Sequence, residues 1–354
     1  MAGAPHGGAE AFFERLVIAL HKAGLEQRVL IRRDAERAAR LEAAGLHPVE
    51  APFGGAFDFA TPALFKREIA AFRPDIVLTW MNRATKFCPQ GRFVHAARLG
   101  GYYDLKYYGA CDELIGNTED IVRYLTKAGW PEPRAHYVPN FTAARDAAPE
   151  PRAAHATPED VPLVLAMGRL HTNKAFDTLL KAWALVPTAH LWLAGQGPEE
   201  ARLKALAGEL GVGTRVHFLG WRDDIAPLFA ACDLFVCPSR HEPLGNVVLD
   251  AFAHNRAVVA TRSQGPAMLI EHERTGLLVP IDDPEALAPA IFRLIAEPQT
   301  RARFAAAGHA EWREKFSEPV VVAQYLALFE RLASAKQVKH KDHKERTEGT
   351  KHAN

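Results

Sequence analysis

The strongest structural signal in the chain is the stretch Ser239-Arg-His-Glu-Pro-Leu-Gly-Asn-Val-Val-Leu-Asp-Ala-Phe-Ala-His254. It comes shortly after the apolar run Asp233-Leu-Phe-Val236, which predicts a buried strand. Asn246 is a favoured helix N-cap, and the residues after it predict a helix. The first turn of such a helix carries backbone N–H groups without helical partners, beside the positive end of the helix dipole. The stretch therefore predicts a strand, an acidic turn and a helix start at which a phosphate can bind.

Two carboxylates flank this predicted phosphate site. Glu242 lies in the turn ahead of the helix, and Asp250 falls one helical turn after Asn246 on the same face, about 6 Å along the axis. Backbone N–H groups suit phosphate oxygens, and carboxylates accept hydrogen bonds from ribose and sugar hydroxyls. The pattern fits a nucleoside diphosphate sugar, although an ordinary acidic turn and helix start in another α/β protein would show the same residues.

The same segment resembles the signature of retaining GT-B glycosyltransferases of the family 4 type, in which seven residues separate two glutamates. Here Glu242 is the first of them, and Asp250 stands in place of the second. The resemblance implies an α/β fold of the GT-B class, with two Rossmann-like domains whose parallel sheets face each other across a cleft. It also implies a catalytic role for Glu242 in orienting the sugar hydroxyls. Asp250 would hold the ribose, and the backbone of Gly245, Asn246 and Val247 would meet the phosphates.

A second loop carries two cations. It reads Gly168-Arg-Leu-His-Thr-Asn-Lys174 and directly follows the predicted strand Pro162–Met167. Arg169 offers a planar fork and Lys174 a compact point charge, so the loop can hold a diphosphate whose negative charge grows as it departs. A solvated surface pair is the alternative. The loop is similar to the Gly-Arg-Leu…Lys-Gly element of the same family, with Ala175 in place of its second glycine, and the resemblance implies a catalytic role for both cations.

Glycine-containing turns complete the predicted donor site. Gly7-Gly8-Ala-Glu10 opens the first predicted helix, so backbone N–H groups there can approach a ligand closely. Gly195-Gln-Gly197 follows a predicted strand, but Glu200 stands where a dinucleotide-binding fingerprint has its third glycine, which argues against a dehydrogenase. The donor-binding residues implied by the resemblance are Gly7, Gly8, Gly168, Gly195, Leu219, Gly220, Trp221, Gly245, Asn246, Val247 and Asp250.

The acceptor site is expected in the N-terminal half, where residues 80–86 and 98–108 mix cations with aromatic rings. Tyrosine rings stack on sugar faces, and arginine or lysine can meet a phosphate or an acidic sugar. An aromatic-rich surface of a helix and a loop fits the same residues. Two histidines, His6 and His95, are interpreted as structural. The candidate acceptor residues are Arg83, Arg98, Tyr102 and Lys106.

Neither a metal nor another cofactor is expected. The chain has no Asp-x-Asp triplet, the paired carboxylates with which metal-dependent transferases hold a divalent ion on the diphosphate. Arg169, Lys174 and the predicted helix start can neutralise the diphosphate instead. The four cysteines lack zinc-site spacing and lie in apolar segments, so buried, reduced thiols are expected.

Strand-like and helix-like segments alternate along the chain of 354 residues, which is typical of α/β layering with parallel sheets. This length suits two domains. We predict an N-terminal Rossmann-like acceptor domain over 1–141 with a truncated first strand, because Met1 and Ala2 are only its stump or the reading frame starts late. The other predicted parts are an interdomain linker at 142–160, a nucleotide-sugar-binding domain at 161–316, a helix at 317–334 that crosses back to the N-terminal domain, and a disordered tail at 335–354.

Composition excludes several functional classes. The formal net charge is +1, which gives no case for nucleic-acid binding. No apolar run approaches the ~18–20 residues of a membrane span, and no signal peptide is recognisable, so the protein is expected in the cytoplasm. The resemblance implies a nucleotide sugar as donor and a bacterial cell-envelope glycan or glycolipid as acceptor, such as lipopolysaccharide core or capsule. Such an acceptor implies peripheral contact with the inner face of the cytoplasmic membrane.

Two other functions stay open at the level of the sequence. A GT-B nucleotide-sugar epimerase would share the donor site and would act without an acceptor. A non-catalytic sugar-nucleotide-binding protein fits the departure at Asp250, and also Met268 at a position where the family commonly has glutamate. The primary prediction is the retaining, metal-independent glycosyltransferase.

Overall fold

The computed structural model describes residues 1–4, 7–55 and 57–351, with side chains described as far as residue 335. The chain forms two compact units. Unit 1 comprises Met1–Asn140 together with the chain from Glu318 onward, and unit 2 comprises Phe141–Ser317. The strand pairs of both units are parallel, so the predicted α/β architecture with parallel sheets is confirmed.

Unit 1 alternates helices and strands. Its elements are α1 (Gly8–Lys22), β1 (Leu30–Arg32), α2 (Ala35–Ala43), β2 (Val49–Ala51), α3 (Ala60–Phe72), β3 (Ile76–Trp80), α4 (Met81–Phe87), β4 (Val94–Leu99), β5 (Glu113–Gly116), α5 (Glu119–Lys127) and β6 (Ala135–Tyr137). Local side-chain caps set two of the helix starts. Asp34 accepts a hydrogen bond from the Arg37 N–H at α2, and Thr118 accepts one from the Ile121 N–H at α5, each at 3.0 Å.

The strands of unit 1 form two separate sheets. One contains β1 and β2, and the other has the order β3-β4-β5-β6. Met1 stands beside β1, where its nitrogen donates to the Leu30 carbonyl at 2.7 Å and its carbonyl accepts from the Arg32 N–H at 2.9 Å. This is the hydrogen-bond pattern of a parallel bridge opposite Ile31. The residue predicted to be the stump of a first strand therefore pairs with β1.

The polar residues of β4 lie in the core of unit 1. The strand-like run that contains His95 forms β4, although His95 and Arg98 interrupt its apolar pattern. Arg98 is only 2% exposed, and its guanidinium lies 4.5 Å from the ring centroid of Phe12 and 4.7 Å from that of Trp80. Its Nε donates to the hydroxyl of Tyr325 at 2.8 Å. The predicted acceptor role of Arg98 is therefore wrong, because this side chain is enclosed and holds the last helix of unit 1.

The four cysteines and His95 are buried, and burial changes the pKa of each of these groups. The four cysteines are free and buried, as predicted. Burial raises the pKa of Cys88, Cys111 and Cys232 to about 12 and that of Cys237 to about 11. The buried ring of His95 bonds through Nε2 to a threonine hydroxyl of β3 at 3.0 Å, and burial lowers its pKa. Each of these groups is held in its uncharged form.

Unit 2 contains one six-stranded sheet in the order β12-β11-β10-β7-β8-β9. Its elements are β7 (Leu163–Met167), α6 (Phe176–Trp183), β8 (His190–Ala194), α7 (Glu200–Glu209), β9 (Val216–Gly220), α8 (Ala226–Ala231), β10 (Leu234–Cys237), α9 (Asn246–Ala253), β11 (Val258–Thr261), α10 (Gln264–Leu269), β12 (Leu277–Val279), α11 (Pro284–Ala296) and α12 (Pro298–Glu311). The central strands are buried on both faces, which explains their nearly continuous apolar sequences.

The predicted linker at 142–160 belongs to unit 2 and is anchored to it. Arg152 donates to the Ala231 carbonyl at 2.8 Å, and Glu150 accepts two hydrogen bonds from Arg222 at 2.8 and 3.0 Å. The bonds from Arg222 are the largest cause that lowers the pKa of Glu150 to about 2. The partners lie 72 and 79 residues away in sequence, so the composition of the segment alone cannot reveal its attachment.

The last helix of unit 1, α13 (Glu318–Lys351), is longer than predicted. The disordered tail predicted for 335–354 is corrected to helical backbone as far as Lys351, and residues 352–354 lie outside the described residues. Lysine, glutamate and glutamine are good helix formers, so local propensity favours this continuation. None of the helices in the described part of the chain combines the length and the apolar character that crossing a membrane requires.

We expect the substitution Tyr325→Phe to lower the free energy of unfolding by about 1–3 kcal/mol, because it removes the acceptor of the buried Arg98 Nε–H. Urea unfolding followed by circular dichroism measures the change. The half-exposed Tyr137 provides the control, and Tyr137→Phe is expected to change stability by less than about 0.5 kcal/mol. Equal stability of the two variants would show that Arg98 does not depend on this hydroxyl.

Candidate functional site

The loops of interest in unit 2 follow the carboxyl ends of its strands. β7 lies next to β10 in the sheet, although β8 and β9 separate them in sequence. In open parallel sheets, ligands bind outside the carboxyl ends of the strands where the strand order reverses in this way. The segments that follow β7 and β10 are 168–175 and 238–245, and both were predicted from the sequence to bind a diphosphate.

These two segments are in direct contact. Lys174 Nζ donates a hydrogen bond to the carboxylate of Glu242, and the two side chains form an ion pair. The carbonyl oxygen of Asn173 accepts hydrogen bonds from the backbone N–H groups of Arg240 at 2.8 Å and His241 at 3.2 Å. A cation and a carboxylate that were predicted to share one site are thus joined through both side chains and backbone.

Arg240 connects the same loops to the rest of unit 2, and the sequence did not predict it. Its terminal nitrogens donate to both carboxylate oxygens of Asp177 at 2.9 Å, its Nε donates to Asp282 at 2.9 Å, and Nη1 donates to the Thr172 carbonyl at 2.7 Å. Burial acts to raise the pKa of Asp177, but the hydrogen bonds from Arg240 outweigh it and the pKa is lowered. The only sequence signal for this role is the position of Arg240 directly before His241 and Glu242.

The start of α9 lies beside Glu242. Gly245 is the N-cap, with φ +81°, so the predicted cap at Asn246 is corrected by one residue. Glycine adopts this left-handed conformation without strain, whereas asparagine is favoured at caps with extended backbone. The Gly245 N–H donates to Glu242 Oε1 at 3.4 Å. The N–H groups of Asn246 and Val247 belong to the first turn, at the positive end of the dipole, where the sequence predicts a phosphate.

The predicted glycines of unit 2 lie where the loops after neighbouring strands approach each other closely. The Gly168 N–H donates to the Ala194 carbonyl at 3.0 Å, and the Gly195 N–H donates to the Gly220 carbonyl at 2.7 Å. Gly195 has φ +143°, and a Cβ atom on it would lie 1.9 Å from the Gly168 carbonyl oxygen. A side chain at Gly195 would therefore force apart the loops that follow β7 and β8.

The remaining donor candidates of unit 2 lie around these loops. Arg169 is exposed, and within the described residues its guanidinium makes no hydrogen bond or ion pair, so it is available to an anion. Trp221 is 58% exposed, and its Nε1 donates to Asp223 at 2.9 Å. Leu219 and Asp250 are half-buried, in β9 and α9 respectively.

The predicted glycine loop and the acceptor candidates belong to unit 1. Gly7 is the N-cap of α1 and Gly8 is its first residue, as the sequence predicts. His6 lies outside the described residues.

Three acceptor candidates lie at the surface of unit 1. Arg83 is exposed on α4. The Tyr102 hydroxyl donates to Asp120 at 2.5 Å, and burial, followed by this hydrogen bond, raises the pKa of Tyr102 to about 12. Lys106 forms an ion pair with Asp104 at 2.7 Å. These three side chains stay candidates, unlike the buried arginine of β4.

Positive charge at the site comes from Lys174 and the start of α9, and the carboxylate in contact with Lys174 is Glu242, while Arg169 lies in the same loop as Lys174. The described residues contain no group of three or more His, Cys, Asp or Glu side chains that could hold a metal ion. The arrangement can therefore bind a diphosphate through cations and N–H groups while a carboxylate faces the hydroxyls of a neighbouring sugar.

Two family models match this chain. The model described as Glycosyltransferase Family 4 matches residues 6–144, and the model described as Glycosyl transferases group 1 matches residues 161–297. The two matches together span most of units 1 and 2.

Named relatives are similar along nearly the whole chain. The lipopolysaccharide core biosynthesis glycosyltransferase LpsE of Rhizobium meliloti (strain 1021) is 38% identical over 331 residues, 91% of this chain and 95% of LpsE. LpsD of the same strain, with the same description, is 37% identical over 339 residues, 92% of this chain and 95% of LpsD. The crystal structure of Anabaena HepE in complex with UDP matches with a TM-score of 0.80 at 21% identity, over 93% of this chain and 98% of HepE. At this identity the structural likeness shows the fold alone.

We expect Arg240→Lys to lower the free energy of unfolding by about 1–3 kcal/mol, because lysine keeps the charge but cannot reach Asp177, Asp282 and a carbonyl oxygen together. Urea unfolding monitored by tryptophan fluorescence provides the measurement. The matched control is Arg262→Lys at an exposed position, for which we expect a change below about 0.5 kcal/mol. A loss no larger at Arg240 than at Arg262 would contradict its role in joining the loops.

Proposed function

Because this chain belongs to the glycosyltransferases of family 4, we propose that it transfers a sugar from a nucleoside diphosphate sugar to a cell-envelope glycan or glycolipid with retention of anomeric configuration. The observation that carries the proposal is the contact between Lys174 and Glu242 beside the start of α9. The proposal is supported because a sugar diphosphate needs a cation, a carboxylate and the N–H groups of a helix start close together.

In the proposed complex, the diphosphate meets Arg169, Lys174 and the N–H groups of Asn246 and Val247. The bond between the sugar and the diphosphate breaks during transfer, and the departing diphosphate gains negative charge. Fixed cations and a helix dipole stabilise that charge more in the transition state than in the ground state, and this difference accelerates the reaction. With this set of positive groups, we infer that the transfer needs no divalent metal.

The carboxylates have separate roles in the proposal. Glu242, oriented by Lys174 and by the Gly245 N–H, accepts hydrogen bonds from the hydroxyls of the transferred sugar. Asp250, half-buried one turn into α9, binds the ribose. Because aspartate is one methylene shorter than glutamate, its bond to the ribose is longer or passes through a water.

Retention follows in the proposal from attack on the same face of the sugar that the diphosphate leaves. The acceptor oxygen forms a bond to the anomeric carbon as the bond from that carbon to the phosphate oxygen breaks. The proton of the acceptor hydroxyl moves to the departing phosphate oxygen, so the products are the glycosylated acceptor and the nucleoside diphosphate. In this scheme a phosphate oxygen is the base, and Glu242 is kept for binding.

The comparisons favour particular substrates. The Anabaena neighbour binds UDP according to its description, which makes a uridine diphosphate sugar the first donor to test. The Rhizobium relatives are described as enzymes of lipopolysaccharide core biosynthesis, which makes a core oligosaccharide on a lipid anchor the first acceptor to test. In unit 1, Arg83, Tyr102 and Lys106 are the proposed acceptor contacts.

We expect Lys174→Ala and Glu242→Gln each to lower kcat by about 100-fold or more with the preferred sugar nucleotide, because each removes a charge from the site of transfer. A thermal-shift panel of UDP, GDP, ADP and their sugars identifies that donor, and release of nucleoside diphosphate measures turnover. The exposed Lys181 of α6 gives the control Lys181→Ala, which is expected to keep the parent rate.

Asp250→Glu is expected to stay active, and added EDTA is expected to leave turnover unchanged.

Several results would contradict these assignments. Parent rates in Lys174→Ala and Glu242→Gln would remove both residues from the reaction. A requirement for a divalent ion after EDTA treatment would overturn the proposed metal independence. Isomerisation of the donor without an acceptor would identify an epimerase, and donor binding without transfer to any acceptor would identify a non-catalytic binding protein.

We further propose that the protein is cytoplasmic and contacts the inner membrane surface through the loop between β2 and α3. Phe57 and Phe59 in this loop are 88% and 77% exposed. Asp58, between the two rings in sequence, accepts hydrogen bonds from the Gly54 N–H at 2.7 Å and from the Thr61 N–H at 2.9 Å, which fix its own position. Two aromatic rings exposed in this way suit the interface between water and lipid.

Two exposed lysines lie on the helices that pack against the base of this loop. Phe53, at the base of the loop, packs edge-on against Phe65 of α3 and Phe87 of α4, with ring centroids 5.9 and 5.8 Å apart. The exposed Lys66 and Lys86 adjoin these two phenylalanines in sequence. In the proposal, these lysines meet the anionic headgroups of the lipid surface that the exposed rings enter.

We expect the double substitution Phe57→Ser, Phe59→Ser to reduce binding to vesicles that contain phosphatidylglycerol by about tenfold or more, because the rings no longer enter the interface. Co-sedimentation at fixed ionic strength measures it. Phe292→Ser, at the half-exposed ring of α11 in unit 2, is the matched control and is expected to bind like the parent. If the double variant also bound like the parent, this loop would not be the membrane contact.

A further inference from the structure

A third loop of unit 2 borders the candidate site. β11 lies next to β10 in the sheet, on the side away from β7, so the turn that follows β11 shares an edge of the sheet with the loops after β7 and β10. Thr261, the buried last residue of β11, donates from its hydroxyl to the Ser239 carbonyl at 2.5 Å. The end of β11 is therefore tied to the loop that carries Glu242.

The turn after β11 holds the backbone of Glu242 on both sides. Gln264 Oε1 accepts a hydrogen bond from the Glu242 N–H at 3.3 Å, and the Gly265 N–H donates to the Glu242 carbonyl at 2.7 Å. A Cβ atom on Gly265 would lie 2.2 Å from the carbonyl carbon of Leu244, so no side chain fits where the two loops approach. Both polar groups of the Glu242 backbone are thus bonded to consecutive residues of one turn.

The Glu242 N–H decides which way the Gln264 amide faces. A backbone N–H is a donor only, so the oxygen of the amide faces it and the nitrogen faces away. That nitrogen, Nε2, lies 3.0 Å from Nδ1 of the His241 ring. Because the amide nitrogen is also a donor only, Nδ1 is the acceptor, and the proton of the ring is on its other nitrogen. The bond therefore requires a neutral His241 with its proton on Nε2.

The hydrogen bonds continue from His241 to the loop after β7 and close into a ring. The His241 N–H donates to the Asn173 carbonyl at 3.2 Å, and Lys174, the next residue, donates from Nζ to the Glu242 carboxylate. The ring therefore leaves Glu242 at its backbone N–H and returns to it at its carboxylate. Because Gln264 is a member of this ring, its amide restrains the carboxylate that the proposal assigns to sugar binding.

We infer that Gln264 is a positioning residue of the proposed transfer reaction and acts through Glu242. The inference rests on the proposed function, in which Glu242 accepts hydrogen bonds from the hydroxyls of the transferred sugar. The Gln264 amide fixes the backbone from which that carboxylate extends, and the neutral His241 ring fixes the amide. A carboxylate held in this way meets the sugar in one geometry, and the loss of that geometry costs more in turnover than in donor binding.

The substitution Gln264→Leu keeps the size of the side chain and removes both of its hydrogen bonds. We expect it to lower kcat about tenfold while KM for the sugar nucleotide changes less than about threefold, because the contacts to the diphosphate remain. In the Glu242→Ala background, where no carboxylate is left to position, the same substitution is expected to cost less than about twofold. Gln299→Leu, at an exposed position of α12, is the matched control and is expected to keep the parent kcat. A parent kcat in Gln264→Leu, or an equal loss in both backgrounds, would overturn the inference.

Nuclear magnetic resonance of isotopically labelled histidine provides a test that does not depend on activity. The His241 ring, assigned from the signals that His241→Asn removes, is expected to carry its proton on Nε2 in the parent chain and in Gln299→Leu, and to lose this preference in Gln264→Leu. Tm of Gln264→Leu is expected to stay within about 2 °C of the parent, because the side chain is exposed. A ring that Gln264→Leu leaves unchanged would overturn the inference. A parent chain that shows the expected ring but turns over no sugar nucleotide would instead overturn the proposed function.

Discussion

The carbonyl oxygen of Asn173 accepts hydrogen bonds from two consecutive residues of the neighbouring loop, and the proposed active site depends on this junction. The loop after β7 supplies the cations, and the loop after β10 supplies Glu242 and the start of α9. Neither loop alone provides both Lys174 and Glu242. Because parallel strands end at the same edge of a sheet, the reversal of strand order between β7 and β10 brings the loops together, and Arg240 fixes their separation.

Much of this arrangement could be predicted because its signals are local. The alternation of apolar strands and amphipathic helices indicates the α/β class, and the predicted GT-B fold class is confirmed. The glycine turns and the pair formed by Lys174 and Glu242 also follow from short motifs. The role of Arg240 could not be predicted in this way, because it depends on hydrogen bonds to Asp177 and Asp282. These two residues are distant from Arg240 in sequence, and only the fold brings them near it.

The errors of the sequence-based interpretation have the same origin. Arg98 was a candidate acceptor residue because it lies in a segment that mixes cations with aromatic rings, but its side chain is buried, and two aromatic rings and a tyrosine hydroxyl compensate this burial. The segment 142–160 was predicted to be an interdomain linker because it is rich in alanine, proline and charge and has no apolar face, and its charged side chains bind to distant parts of unit 2. Long-range polar contacts override local composition in both cases.

The attachment of Tyr325 to Arg98 also has a consequence for biosynthesis. Unit 1 consists of Met1–Asn140 and helix α13, whereas unit 2 is the continuous segment Phe141–Ser317 between them. During translation, unit 2 is complete before the ribosome has made α13, and compact units generally fold as they emerge. Until then, the guanidinium of Arg98 lacks its hydroxyl partner. Unit 1, although it begins at the N-terminus, is therefore completed after unit 2. A nascent chain released before Tyr325 has been made lacks the helix that completes unit 1.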